Sequence, residues 1–223
     1  MNGMAATIDI LFVDDHAIVR EGYRALLGKQ PGMRVIAEAD SGAEAYRQFT
    51  LCNPDVVVTD ITMAGSSGLE LIARVRLRRA DARILVFSMH QNPTFALQAI
   101  RAGALGYVSK SSPPEELLRA IREVHVGRHA LSADMAQALA LEKLGCEHKA
   151  LESLTAREFE ILRLLTDGRS TDAIAACLNL SPKTVCNCHY IIKRKLGVSS
   201  DIELMRLAIK LDVVDLLQGS ANP

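Results

Sequence analysis

Apolar residues in the first 126 positions alternate between two patterns. Five short runs rich in β-branched residues, Ile8–Val13, 34–38, 56–59, 84–87 and 106–109, are continuous enough to be strands buried on both faces. Between them, apolar residues recur at helical spacing, as at Val19, Tyr23, Leu26 and Leu27 after the first run. Gly28 with Pro31-Gly32 stops that first helix, Ser41 with Glu44 forms a capping box for the second, and Gly103 closes the fourth. The third spans Leu69 to Arg79, and Pro113-Pro114 opens the fifth. Five βα units predict an α/β domain over 1–126, with a parallel sheet covered by helices on both sides.

After Gly127 the strand pattern ends. Ser132 to Lys143 suits one helix, and 127–152 reads as a linker containing it. Residues 153–223 then predict a small all-α domain of four helices. Thr155 and Glu158 make a capping box for the first, which Asp167-Gly168 closes. Ser170 or Thr171 caps the second. Ser181 with Pro182 starts the third, which Gly197 ends, and Asp201 to Leu211 is the fourth. Two short helices, a tight turn and a longer helix form the helix-turn-helix arrangement, whose second member enters the DNA major groove.

Composition narrows the setting. The chain is 49% hydrophobic and 23% charged, an ordinary globular balance. No apolar run reaches the ~18–20 residues of a membrane span, and the first residues lack the basic and apolar regions of a secretory signal. Five cysteines, an odd and scattered number, suit reduced thiols in a cytoplasmic setting. Net charge is zero, so DNA binding must rest on local charge. Residues 151–215 hold nine Lys/Arg and nine Asp/Glu, yet 183–195 contain Lys183, Lys193, Arg194 and Lys195 and no acid. Cys186, Cys188 and His189 invite a zinc site. However, positions i and i+2 lie about 200° apart on a helix, so the two thiols cannot share an ion.

The polar residues at the predicted strand ends carry the chemistry: Asp14 and Asp15, Asp60, Ser88 and Lys110. In parallel sheets this is the edge where sites form. Singly, each has an ordinary role, a helix cap for an Asp, a solvated surface charge for the Lys, and His16 reads as a surface or capping residue. Together they suit phosphoryl transfer. Converging carboxylates repel one another unless a hard cation such as Mg²⁺ joins them. A carboxylate is also the nucleophile that forms an aspartyl-phosphate. Phosphoryl transfer asks mainly for positioning and charge neutralisation, which Lys110 and the Ser88 hydroxyl would extend.

The segments Val13-Asp14-Asp15-His16, Asp60-Ile61-Thr62-Met63, Gly68-Leu69-Glu70, Ser88 and 103–110 resemble the receiver domain of two-component signalling, a (βα)5 flavodoxin-like fold. The resemblance implies that Asp60 is phosphorylated by a sensor histidine kinase. Asp14, Asp15, Asp60 and the Thr62 carbonyl would hold Mg²⁺, and Ser88, Tyr107 and Lys110 would sense the phosphoryl group, with Tyr107 repacking inward. Ala64 stands where the family usually has Pro, which frees the loop beside the acceptor.

Leu154-Thr155-x-Arg157-Glu158, Ile174-Ala175, 178–185 and Lys195-Leu196-Gly197-Val198 resemble the LuxR-type helix-turn-helix of the NarL/FixJ group. That implies phosphate contacts from Lys183, Thr184 and Lys195, a core place for Val185, and base-facing Cys186, Asn187 and Tyr190; Arg194 adds to the basic helix. Asp172 replaces a usual cation. The expected protein is a non-enzymatic transcription regulator that binds double-stranded DNA as a homodimer. The helix containing Leu204, Met205 and Ala208 serves either as dimer face or as core. Two rivals are a regulator gated by a protein or small molecule without phosphate, and a Mg²⁺-dependent phosphohydrolase. The missing Asp-x-Asp motif weighs against the latter.

Overall fold

The computed structural model describes residues 7–63, 66–142, 151, 153–211 and 213. Ala64 and most of the connector stretch 145–153 lie outside the described residues. By internal contacts the chain forms two units, Met1–Gln91 with Ala99–Ala136, and Asn92–Gln98 with Gln137–Pro223.

The first unit holds six parallel strands, β1 (Ile8–Val13), β2 (Met33–Ala39), β3 (Val56–Thr59), β6 (Ile84–Ser88), β7 (Gly106–Ser109) and β8 (Ala130–Leu131), in the order β2-β1-β3-β6-β7-β8. A two-stranded antiparallel pair, β4 (Thr62–Met63) and β5 (Ser66–Ser67), follows β3. The unit's helices are α1 (Ala17–Gly28), α2 (Gly42–Cys52), α3 (Gly68–Arg78) and α5 (Pro114–His125), while α4 (Pro93–Ala102) is divided between the two units after Gln98. Chain direction across the sheet reverses between β1 and β3, which places a crevice at their carboxyl ends.

Alternation along the strands builds two buried faces. Ile10, Phe12, Val58, Leu85, Phe87 and Val108 pack with Leu27 of α1 and with Leu117, Ile121 and Val124 of α5. Leu11, Val57, Val86 and Tyr107 point the other way and are equally buried. Continuous apolar runs are what a doubly covered sheet requires. Ser41 accepts from the Glu44 N–H, the first half of the expected capping box, while the Glu44 carboxylate accepts from Arg47 and Gln48.

The sixth strand departs from the five-strand expectation. Ala130 and Leu131 pair with Gly106 and Tyr107 inside the stretch read as linker. Their place depends on Gly106, where a Cβ would stand 2.5 Å from the Ala130 carbonyl oxygen. Two residues are too short to show periodicity, so only that glycine signalled the close approach. The helix α6 (Ala133–Glu142) follows, and the boundary between the units falls within it.

The second unit contains α7 (Ala156–Thr166), α8 (Thr171–Cys177), α9 (Pro182–Leu196) and α10 (Asp201–Lys210). Side-chain caps start every one of them: Thr155, Ser170, Ser181 and Ser200. Asn179 at φ 54° makes the turn between α8 and α9, and Gly197 at φ 70° ends α9. Phe159, Ile161, Leu162, Ile174, Val185 and Ile192 form the core. Arg163 is buried among them, 2.7 Å from Glu160 and 3.0 Å from Asp167. No helix among the described residues is long and apolar enough to cross a membrane.

Candidate functional site

Strand geometry brings together the residues singled out at the strand ends. Asp14 follows β1, Asp60 follows β3 and Lys110 follows β7, and all three converge over the crevice. Lys110 Nζ lies 2.5 Å from Asp14 Oδ2 and 2.6 Å from Asp60 Oδ2. Asp14 is 1% exposed and Asp60 4%. Burial alone would push the Lys110 ammonium down. The Asp60 charge and hydrogen bonds to both carboxylates outweigh it and hold the group above its ordinary value. The other oxygen of Asp60 accepts the N–H groups of Ile61, at 2.6 Å, and Thr62, at 3.3 Å, which fixes the carboxylate plane.

Ser88 ends β6 fully buried, with its hydroxyl beside that of Tyr107. The Lys110 N–H donates to the Ser88 carbonyl at 2.8 Å, so the two residues share one piece of backbone.

Tyr107 already points inward. It is fully buried, and its hydroxyl donates to the His90 carbonyl at 2.7 Å. Burial pushes the phenol far above its ordinary value. The expected inward repacking is therefore no change from this conformation. His90 is also hydrogen-bonded through Nε2 to Thr62 Oγ1 at 2.7 Å. It thus joins the acceptor loop to Tyr107, a role that no spacing in the sequence marked.

Asp15 stands beside this cluster rather than in it. His16 Nδ1 lies 2.9 Å from Asp15 Oδ1 and 3.3 Å from Asp14 Oδ1. His16 occupies the N-cap position of α1 but makes no side-chain cap bond. Its ring turns toward the acids while staying at the surface, 69% exposed, the surface place expected of it. Ligand atoms of Asp14, Asp15 and His16 fall within 4.8 Å of one another. Paired carboxylate oxygens, one nearly buried, are donors that suit a hard divalent cation.

In the second unit, α9 presents one exposed face, with Lys183, Thr184, Cys186, Asn187, Tyr190 and Arg194 all outward. Tyr190 is 65% exposed, an unusual position for an aromatic residue on a monomer surface. Val185 takes its expected core position at 1% exposure. The Thr184 hydroxyl bonds Ser181 Oγ at 2.8 Å, so it is partly committed to the cap.

Two of the four cations in 183–195 are engaged within the unit. Lys193 Nζ pairs with Asp201 at 2.9 Å, and His189 Nε2 meets the same oxygen at 3.0 Å. Lys195 Nζ donates to Glu158 Oε2 at 2.6 Å and to the Ser153 carbonyl at 3.0 Å. Glu158 simultaneously accepts the Thr155 N–H at 2.7 Å. Its capping box therefore ties the start of α7 to the end of α9. Burial raises the Glu158 carboxyl, but Lys195 and the Thr155 N–H more than offset this and hold it below its ordinary value. The Glu158 contribution is thus present above about pH 4.3 and lost as pH falls through the lowered value. Glu158→Ala should cost about 1–2 kcal/mol in urea unfolding near neutral pH, in line with the loss of a cap.

Two of the residues named on α10 take the core role, and other apolar residues of the helix stay exposed. Leu204 and Ala208 are buried at 4% and 2%, whereas Ile202 is 68% exposed and Ile209 43%. Met205 lies between these two states of burial.

Comparison with known proteins covers nearly the whole chain. Residues 10–122 match the response regulator receiver domain, and 152–208 match the bacterial regulatory proteins of the luxR family. The response regulator UvrY of Escherichia coli K12 is 37% identical over 205 residues, 91% of this chain and 94% of UvrY. A LuxR-family two-component response regulator from Aurantimonas sp. is 49% identical over 63% of this chain and all of its own, with a TM-score of 0.61. RcsB from Salmonella enterica serovar Typhimurium, bound to a promoter in the presence of phosphomimetic BeF3−, covers 93% of this chain at 26% identity and a TM-score of 0.70.

Proposed function

The chain belongs to the two-component response regulators that join a receiver domain to a LuxR-type helix-turn-helix, and from this premise we propose that it is switched by phosphorylation of Asp60. As a member of that family it is a DNA-binding transcription regulator. The observation that carries the proposal is the Lys110 ammonium bridging Asp14 and Asp60 at the carboxyl ends of three different strands. A sensor histidine kinase is the proposed donor, and the cytoplasm the proposed site of action.

An Asp60 carboxylate oxygen attacks the phosphorus, and the bond to the donor histidine nitrogen breaks. The Ile61 and Thr62 N–H groups keep the other oxygen in place during the attack. Lys110, already at Asp60, neutralises charge on the transferred group, and the Ser88 hydroxyl donates to one of its oxygens. Asp14, Asp15 and Asp60, with the Thr62 carbonyl, would hold a divalent cation, which would supply further charge neutralisation. Labelling with a phosphodonor in Mg²⁺ tests this: wild type takes up base-labile label, and Asp60→Ala takes up none. An unlabelled wild type, or equal labelling of Asp60→Ala, would refute the proposal. If a protein or small molecule gated the chain instead, Asp60→Asn would regulate normally in cells.

DNA contact is assigned to the exposed face of α9. Lys183 and Arg194 lack an acidic partner among the described residues, so they serve as phosphate contacts. Cys186, Asn187 and Tyr190 face base edges, and Asn187 has the donor–acceptor pair that reads adenine. Lys195 acts mainly through Glu158. Lys183→Ala and Arg194→Ala should each lower the slope of log affinity against log salt by about 0.9, without loss of stability. Lys195→Ala should lower stability together with affinity. Binding isotherms across a salt series, paired with urea melts, separate the two classes. The exposed Ile202 and Ile209 of α10, with the half-buried Met205 between them, form the proposed homodimer face.

A further inference from the structure

We propose that His16 is a nitrogen ligand of the receiver's cation pocket and biases that pocket toward imidazole-preferring transition cations, such as Co²⁺, over Mg²⁺. The proposal rests on reading Asp14, Asp15 and Asp60 as the cation-holding residues. The Asp14 carboxylate has two differently used oxygens. Oδ2 faces Lys110, which also holds Asp60. Oδ1 faces His16, whose backbone N–H donates to it at 3.0 Å and whose Nδ1 stands 3.3 Å away. The same Nδ1 is 2.9 Å from Asp15 Oδ1. One imidazole nitrogen is therefore directed at an oxygen from each acid.

These separations are those of a coordination polyhedron as well as of hydrogen bonds. Ligands about 2.1 Å from a cation and at right angles lie about 3.0 Å apart. The observed edges of 2.9 Å and 3.3 Å bracket that value. A cation placed among these three ligand atoms thus needs little movement of their side chains. Access is open, since the His16 side chain is 69% exposed. The conformation is not explained by capping, because His16 makes no side-chain bond to the first turn of α1. Mg²⁺ gains little from a nitrogen donor, whereas affinity for imidazole-containing sites rises along the series toward Co²⁺ and Ni²⁺.

The test uses the full-length untagged protein as wild type, His16→Gln and Asp15→Asn. Calorimetric titration with Mg²⁺ and with Co²⁺ gives affinities, and electron spin-echo modulation of bound Mn²⁺ reports a ¹⁴N ligand. His16→Gln should weaken Co²⁺ by about tenfold or more, change Mg²⁺ by less than about threefold, and abolish the ¹⁴N modulation. Asp15→Asn should weaken both cations. If His16→Gln leaves Co²⁺ affinity and the nitrogen signal intact while Asp15→Asn removes binding, the pocket stands and the role of His16 is overturned. If the wild type binds neither cation, the pocket reading itself fails and takes the ligand assignment with it.

Discussion

Lys110→Ala should lower unfolding stability by about 3–5 kcal/mol at neutral pH in the absence of divalent cation, the cost of removing one partner from a buried ion pair. Lys110 is 7% exposed, and its ammonium is the group that compensates both Asp14, at 1%, and Asp60, at 5% side-chain exposure. Its removal leaves two carboxylates facing each other in a crevice with little water. A divalent cation is the natural replacement, so the loss should be partly recovered in Mg²⁺. Binding to the folded state alone contributes about 2.7 kcal/mol at a hundred times the dissociation constant. Urea melts of both proteins, with and without Mg²⁺, measure this directly. A variant as stable as wild type without Mg²⁺ would contradict the argument.

An alkaline limb belongs to the same prediction. The Lys110 ammonium is held above its ordinary value in the folded state. Its contribution is therefore complete below about pH 10.4 and declines as pH rises through the raised folded value. Wild type should lose stability in that window, and the Ala variant should lack that part of the decline.

What could be read in advance followed from how far each feature repeats. Strands of four to seven residues buried on both faces leave a continuous apolar run, so the five main strands and the residues at their ends were legible. Caps were legible for a similar reason, since Thr155-x-x-Glu158 and Ser181-Pro182 are local signals satisfied within one turn. The strand at Ala130–Leu131 was missed because two residues carry no period. His16 was read as a surface residue, but its contacts with the acids, like the role of His90, were missed because they depend on ring orientation and loop path, which residue type does not specify. Lys193 and Lys195 looked like free cations in a basic segment. Their acids, Asp201 and Glu158, lie 8 and 37 residues away, and only tertiary folding pairs them. The Tyr107 rotamer was equally illegible, because an aromatic residue at a strand end packs inward or outward according to neighbours on other elements.

Gly68→Ala should be the most damaging single methyl addition near the site, and Gly22→Ala its opposite. Both glycines sit in helices without positive φ, so conformational freedom does not distinguish them. Their surroundings do. A Cβ at Gly68 would overlap the Asp60 carbonyl oxygen, 2.7 Å from Ile61 Cα and 2.9 Å from the Asp60 carbonyl carbon. All three are backbone atoms and cannot rotate away. The Gly68 N–H donates to the Ile61 carbonyl at 2.8 Å, so α3 is fastened to the acceptor loop at the point of closest approach. The methyl must push that loop outward, at a cost at or above the upper end of the roughly 1–3 kcal/mol typical of overpacking. Because the loop carries Asp60, a shift of about 1 Å should slow labelling by about a hundredfold. At Gly22, exposed in α1, a Cβ meets nothing within 4 Å. There the exchange should add about 0.5–1 kcal/mol of helix stability and leave labelling unchanged. Urea midpoints and phosphodonor labelling rates of the two variants should move in opposite directions for stability and in only one of them for chemistry. Equal effects at both positions would mean that the contact between α3 and the Asp60 carbonyl does not set the acceptor's position.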